Sequence, residues 1–213
     1  MKAVIISHGH LQDYKILEDE CRNSDVVICA DGGAEFAYKY GIIPNYLIGD
    51  FDSINEKILE YFKTVETQII RYSCEKDYTD TEICVYKALE LKCDEICILA
   101  GIGGRMDHSL GNIGLLHLIE KNNARGYIAS EDCYIYLCSN EISIYGNKGD
   151  VISILPYKDE AVGVSLNGLK YELNNFNIQF GSPIGISNEM LGEKCTIKLE
   201  SGEVIILKNT KIV

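Results

Sequence analysis

Apolar and polar positions along the chain keep one rhythm to about residue 130 and another after it. In the first part, short unbroken apolar runs alternate with stretches in which apolar residues recur every three or four positions. The runs at 2–6, 26–30, 46–48, 68–71, 95–100 and 125–129 read as strands. They lack strict alternation, as expected of strands covered on both faces. The stretches at 14–22, 35–40, 55–62, 80–91 and 108–121 read as helices. Strand and helix in turn predict an α/β domain with a parallel sheet.

After about Ser130 the helical periodicity stops. Short apolar stretches at 133–137, 141–144, 150–155, 162–166, 169–173, 194–199 and 203–207 are separated by Gly and Asn, and several alternate. Thr196-Ile197-Lys198-Leu199-Glu200 followed by Ser201-Gly202 is such a strand and its turn. This half reads as an all-β domain, a sandwich or jelly-roll. The join falls within 131–140, so the expected domains are 1–132 and 133–213.

Two S/T-x-x-E capping boxes, Ser53-Ile54-Asn55-Glu56 and Thr79-Asp80-Thr81-Glu82, mark helix starts. They place Asp52 and Asp80 near helix N-terminal ends, where the helix dipole favours a carboxylate.

The net charge is −12 in 213 residues, with no Lys/Arg run to offset it. Such a field repels a nucleic-acid duplex or an anionic membrane and favours metal ions and small cations. No apolar run approaches the roughly 18–20 residues needed to span a bilayer. The opening Met1-Lys2-Ala3-Val4-Ile5-Ile6 reads as a strand and not as a signal peptide, so a cytoplasmic location is expected. Nine cysteines without a C-x-x-C pair, several inside apolar runs, suit a reducing compartment and core packing better than zinc or disulfides.

Four acidic clusters stand where a strand hands over to a helix. They are Asp31-Gly32-Gly33, Gly49-Asp50-Phe51-Asp52-Ser53, Lys76-Asp77-Tyr78-Thr79-Asp80 and Gly103-Gly104-Arg105-Met106-Asp107-His108. In a parallel α/β sheet these turns share the carboxyl edge, where ligands bind. Asp50 and Asp52 can face one cation if the chain bends at Phe51, with Asp80 as a third carboxylate. Mg²⁺ uses a few carboxylates and fills its remaining positions with water and substrate phosphates. The glycine pairs let backbone amides approach phosphate oxygens, and Arg105 has the planar fork that binds them. His8 and His10 follow the first strand; His108 adjoins Asp107 and can orient a ligand or serve as a cap. No G-x-S-x-G elbow is present, so a serine nucleophile is not expected.

Together and in this order, A-D-G-G-A (30–34), G-D-F-D-S (49–53), K-D-x-T-D-x-E (76–82) and G-G-R-x-D-H (103–108 region) resemble the thiamine pyrophosphokinase family. Asn167-Gly168-Leu169-Lys170-Tyr171-Glu172-Leu173 and Gly185-Ile186-Ser187-Asn188-Glu189 resemble its two C-terminal motifs, so the likeness spans nearly the whole chain. The resemblance implies a Rossmann-like N-terminal domain, a C-terminal β-sandwich and a homodimer with thiamine at the subunit interface. It implies transfer of the pyrophosphoryl group of ATP to thiamine, giving thiamine diphosphate and AMP. It assigns Asp50, Asp52 and Asp80 to Mg²⁺ and the ATP phosphates, with Asp77 and Thr79 completing that wall. Arg105 would neutralise phosphoryl charge, and Asp107 would position the thiamine hydroxyl or help take its proton. Asp31 would lie near the thiamine, and Tyr171, Ser187 and Asn188 would contact its pyrimidine from the neighbouring subunit. Tyr171 stands where the family often has Trp, and Ser7-His8-Gly9-His10 replaces its usual Asn-Gly loop. Pyrophosphorylation of another alcohol, such as a hydroxymethylpterin, and a non-catalytic nucleotide or thiamine diphosphate sensor are the competing readings.

Overall fold

The computed structural model describes residues 1–52, 54–73 and 77–210. Contacts divide the chain into two compact units, Met1–Glu131 and Asp132–Val213.

The first unit alternates β1 (Lys2–Ile6), α1 (Tyr14–Arg22), β2 (Val26–Ala30), α2 (Gly33–Lys39), β3 (Tyr46–Gly49), α3 (Glu56–Thr64), β4 (Gln68–Arg71), α4 (Asp80–Glu90), β5 (Glu95–Leu99), α5 (Met106–Lys121) and β6 (Arg125–Ala129). All six strands are parallel, in the order β6-β5-β1-β2-β3-β4. The order reverses between β1 and β5, which makes the carboxyl edge there a switch point. The central strands are closed to water on both faces; Ile5, Ile6, Ile28, Ile96 and Ile98 are fully buried. Each such side chain contributes about 1.5–3 kcal/mol on leaving water. The helices pack their apolar stripes onto the sheet: Ile83, Cys84, Val85 and Ala88 of α4, and Leu115, Leu116 and Ile119 of α5, are buried.

Thr79 caps α4, its hydroxyl accepting from Glu82 N at 3.2 Å. The other box does not cap α3. Asn55 does so instead, its side-chain oxygen accepting from Lys57 N at 2.9 Å. Asn is among the strongest capping residues; Ser53, where the expected box begins, lies outside the described residues. Asp52 is therefore a loop residue, whereas Asp80 is the first residue of its helix.

The second unit is antiparallel β throughout: β7 (Cys133–Cys138), β8 (Glu141–Tyr145), β9 (Val151–Pro156), β10 (Ala161–Asn167), β11 (Phe176–Ile178), β12 (Asn188–Glu189), β13 (Lys194–Lys198) and β14 (Val204–Asn209). Strands β12-β9-β14-β7 lie side by side, and β11-β10-β13-β8 form a second sheet. Ile152, Ile154, Val204 and Ile206 from the first set share one core with Ile144, Val164, Leu166 and Ile197 from the second. That is a sandwich, with inner positions alternating with outer ones along each strand.

Residues 169–173 do not form the strand that their composition suggested. Leu169 is buried and makes one isolated bridge to Met190, while Lys170, Tyr171 and Glu172 are exposed. Gly168 precedes them at φ +77°, a conformation that takes the chain out of the ladder. The short strands β11 and β12 have no signature in the sequence, because two or three residues carry no period.

Candidate active site

The acidic turns after β2 and β3 are built as one piece. Asp31 has φ +43°, its N–H donates to Ile48 O at 2.8 Å, and its Oδ1 accepts from Phe51 N at 3.1 Å. Gly49 makes this contact possible: a Cβ there would stand 2.9 Å from both Cβ and Oδ1 of Asp31. Phe51 has φ +63°, a left-handed conformation costly for a bulky side chain. Its ring is buried, with the Arg71 guanidinium 5.0 Å from its centroid. Packing of that ring holds the strained turn, and the turn brings the flanking carboxylates round to one side. Such strain at a carboxyl-edge turn accompanies function.

The result is a cluster in which Asp31, Asp50 and Asp52 each offer a carboxylate oxygen within 4.8 Å of the others. Asp52 N–H donates to Asp50 Oδ1 at 3.2 Å. The Asp52 carboxyl is pushed above the usual carboxylate range, mainly by a hydrogen bond with Asp50 and by its charge, and further by the charges of Asp31 and Asp80. Crowded carboxylates of this kind resist ionisation together unless a cation joins them. Three carboxylate oxygens at that separation fit Mg²⁺, whose remaining positions go to water and phosphate. The tightest trio thus contains Asp31, which the resemblance placed near thiamine. Asp80 stands outside the trio and acts on Asp52 through its charge. Asp77 is exposed just ahead of the Thr79 cap; Lys76 lies outside the described residues.

The turn after β5 faces the loop after β1. Gly9 N–H donates to Ala100 O at 2.7 Å and His10 N–H to Ile102 O at 2.9 Å. A Cβ at Gly9 would meet Ala100 O at 2.4 Å, so the two loops close on each other only with glycine there. Asn112 Nδ2 donates to Gly101 O at 2.7 Å, and the Ser109 hydroxyl accepts from Gly103 N at 3.1 Å. Both residues are buried on α5 and fix this loop from below. Their signal in the sequence is two polar residues in an otherwise apolar helical stripe.

Arg105 is the N-cap residue of α5 and forks onto Asp107, with Nε 3.2 Å from Oδ1 and Nη2 2.5 Å from Oδ2. Both side chains are mostly exposed. The guanidinium holds the Asp107 carboxyl below its usual range, and the His108 N–H adds to the effect. His108 is exposed on the first turn of α5. His8 packs edge-on to Phe36 at 6.0 Å, and His10 Nε2 lies 2.7 Å from Gln12 Nε2.

In the second unit, Asn188 is buried and grips Tyr171 by the backbone. Its Oδ1 accepts from Tyr171 N at 2.9 Å and its Nδ2 donates to Tyr171 O at 2.6 Å. Tyr171 presents its ring outward, 64% exposed, with Lys170 Nζ 5.9 Å from its centroid. Ser187 is exposed at φ +60°, and its N–H donates to Ser153 Oγ at 3.1 Å. The Asn188 amide is therefore committed to holding Tyr171, and Tyr171 and Ser187 are the exposed members of the set.

Residues 17–128 match the model of the thiamin pyrophosphokinase catalytic domain, and residues 139–204 match that of the thiamin pyrophosphokinase vitamin B1 binding domain. The chain belongs to the thiamin pyrophosphokinase family. It is similar to the thiamine pyrophosphokinase of Bacillus subtilis, with 34% identity over 185 residues covering 86% of each chain. It is 29% identical to thiamine pyrophosphokinase 3 of Oryza sativa over 209 residues, covering 86% of this chain and 78% of the other. The crystal structure of the Bacillus subtilis thiamine pyrophosphokinase superposes with a TM-score of 0.89 and full coverage of both chains at 31% identity. The yeast thiamin pyrophosphokinase structure, at 19% identity and a TM-score of 0.80, shares the fold, covering 98% of this chain and 86% of that one.

The family's catalytic match contains all four acidic turns, and its vitamin B1 binding match contains Tyr171, Ser187 and Asn188. Among the described residues, no helix is long and apolar enough to cross a membrane.

Proposed function

We propose that this chain is a thiamine pyrophosphokinase, moving the pyrophosphoryl group of ATP to the hydroxyl of thiamine and releasing AMP. Family membership supports the reaction, and the observation that carries the chemistry is the Asp31–Asp50–Asp52 cluster. The thiamine hydroxyl oxygen attacks the β-phosphorus of ATP. The bond from that phosphorus to the oxygen bridging the α-phosphorus breaks, AMP leaves with the bridging oxygen, and the hydroxyl proton is released to water. Bound Mg²⁺ would neutralise charge on the phosphate oxygens. Asp31, Asp50 and Asp52 would hold it, with Asp80 adding negative potential from the start of α4 and Asp77 and Thr79 flanking the phosphates.

Arg105 binds a phosphoryl oxygen through the guanidinium N–H groups that Asp107 does not use and offsets the charge that develops there. Asp107, with its carboxyl held low by Arg105, is a weak base. It is suited to accept a hydrogen bond from the thiamine hydroxyl and so orient the attack. A loose phosphoryl transition state asks for positioning more than for a strong base. Tyr171 and Ser187 would contact the pyrimidine of thiamine, from the neighbouring subunit of a homodimer, as the family resemblance implies. A cytoplasmic setting suits the mostly buried cysteines of the described residues, which are not joined in disulfides.

Purified protein with ATP, Mg²⁺ and thiamine should yield AMP and thiamine diphosphate in equal amounts. AMP alone, or no product from folded protein, would refute the assignment; turnover of a hydroxymethylpterin in place of thiamine would replace it.

Tyr171→Ala should raise the thiamine KM roughly tenfold, the scale of one aromatic stacking contact, and leave the ATP KM in place. Asn188→Ala should move thiamine KM in the same direction by releasing the Tyr171 backbone. Equal changes in both KM values would show that these residues serve folding only.

A further inference from the structure

The segment that ends in β12 meets the edge of β9 one residue out of step. β12 pairs Asn188 with Ile152 and Glu189 with Val151, and the same register would set Ser187 opposite Ser153 and Ile186 opposite Ile154. The next backbone bond instead runs from Ile154 N–H to Gly185 O at 2.9 Å. One extra residue therefore lies between two points fixed on β9, which makes a β-bulge. Ser187 stands in it at φ +60°.

That conformation has no local reason. The described part of the second unit holds three non-glycine residues in the left-handed region, Lys158, Asn175 and Ser187. Lys158 lies in the turn between β9 and β10, and asparagine tolerates the conformation. Glycine is the usual left-handed residue of a bulge, and a serine there is strained. A side chain takes the place of the missing ladder partner: Ser187 N–H donates to Ser153 Oγ at 3.1 Å. Ser153 is buried, the one polar residue in the strand Val-Ile-Ser-Ile-Leu-Pro.

We propose that Ser153 is a positioning residue for thiamine: its hydroxyl holds the Ser187 bulge so that the exposed Ser187 side chain stays aimed at the pyrimidine. The proposal rests on the pyrophosphokinase reading. Bulges beside ligand sites re-aim side chains, and strain of this kind persists where the surroundings fix it. The pyrimidine of thiamine carries ring nitrogens that accept and an exocyclic amine that donates, and a serine hydroxyl can meet either. Ser153 itself touches no substrate.

The test compares Ser153→Ala, Ser153→Thr, Ser187→Gly and the double variant Ser153→Ala/Ser187→Gly. Ser153→Ala should raise the thiamine KM roughly fivefold, the scale of one neutral hydrogen bond, with the ATP KM and kcat in place. Ser153→Thr keeps the hydroxyl and should stay near wild type. Ser187→Gly removes the aimed side chain and should raise the thiamine KM by a similar factor. In the double variant there is nothing left to aim, so Ser153→Ala should add no further rise. Hydrogen exchange at the Ser187 amide, read by NMR without substrates, should be slow in the wild type and fast in Ser153→Ala. Faster exchange with an unmoved thiamine KM, equal rises in both KM values, or effects that multiply in the double variant would overturn the positioning role while leaving the reaction standing. A wild-type protein that makes no thiamine diphosphate removes the reading itself, and the proposal with it, before any variant is compared.

Discussion

Asp52→Asn is expected to lower turnover by roughly 10²-fold or more, the scale of losing one preorganised electrostatic contact. Asp52 belongs to the carboxylate trio and sits just past the strained Phe51 turn. The amide keeps the shape and removes the charge. The same change should leave the melting temperature unchanged or raise it, because the carboxylates repel one another in the metal-free protein. The sign follows from the raised pKa of Asp52. A carboxyl that holds its proton more tightly when folded favours the fold at low pH, and that contribution is lost as pH rises through its folded pKa. Mg²⁺ should therefore raise the wild-type melting temperature more at pH 7 than at pH 4, and by less in Asp52→Asn. Thermal melts with and without Mg²⁺ at both pH values, beside steady-state kinetics, check all three points. Near-normal turnover in folded Asp52→Asn would remove the residue from metal binding.

Arg105→Ala should cost about as much in kcat, again near 10²-fold, by taking away a guanidinium that offsets developing phosphoryl charge. Arg105→Lys should recover only part of it, since an ammonium cannot bind bidentately. The pairing with Asp107 adds a second readout. Without the guanidinium, the Asp107 carboxyl returns upward toward its ordinary range. If ionised Asp107 orients the thiamine hydroxyl, the acid side of the kcat–pH profile moves to higher pH in Arg105→Ala. A drop in kcat with no movement of that limb would leave Asp107 without a role in the step.

Much of this site is visible in the order of the residues. Strand–turn–helix alternation places each acidic cluster at a carboxyl edge, and the Thr79 box places Asp80 at the head of α4. Three features escape such a reading. Asn55 caps α3, so that helix starts two residues beyond the position the expected box predicts. Asp31 joins Asp50 and Asp52 through a hydrogen bond to Phe51 N and the open space at Gly49. Asn188 serves the Tyr171 backbone, a contact between segments 17 residues apart.

The sequence by itself determined the α/β and all-β halves, the parallel sheet and the chemistry of the turns. These rest on periodicity and capping, which act between residues a few positions apart. Only the tertiary structure decided which carboxylates meet, that Arg105 rests on Asp107, and that Asn188 is spent on holding Tyr171. Phe51 shows why. Local preference opposes a left-handed conformation for a bulky ring, and burial of that ring beneath the turn supplies the energy that overrides it.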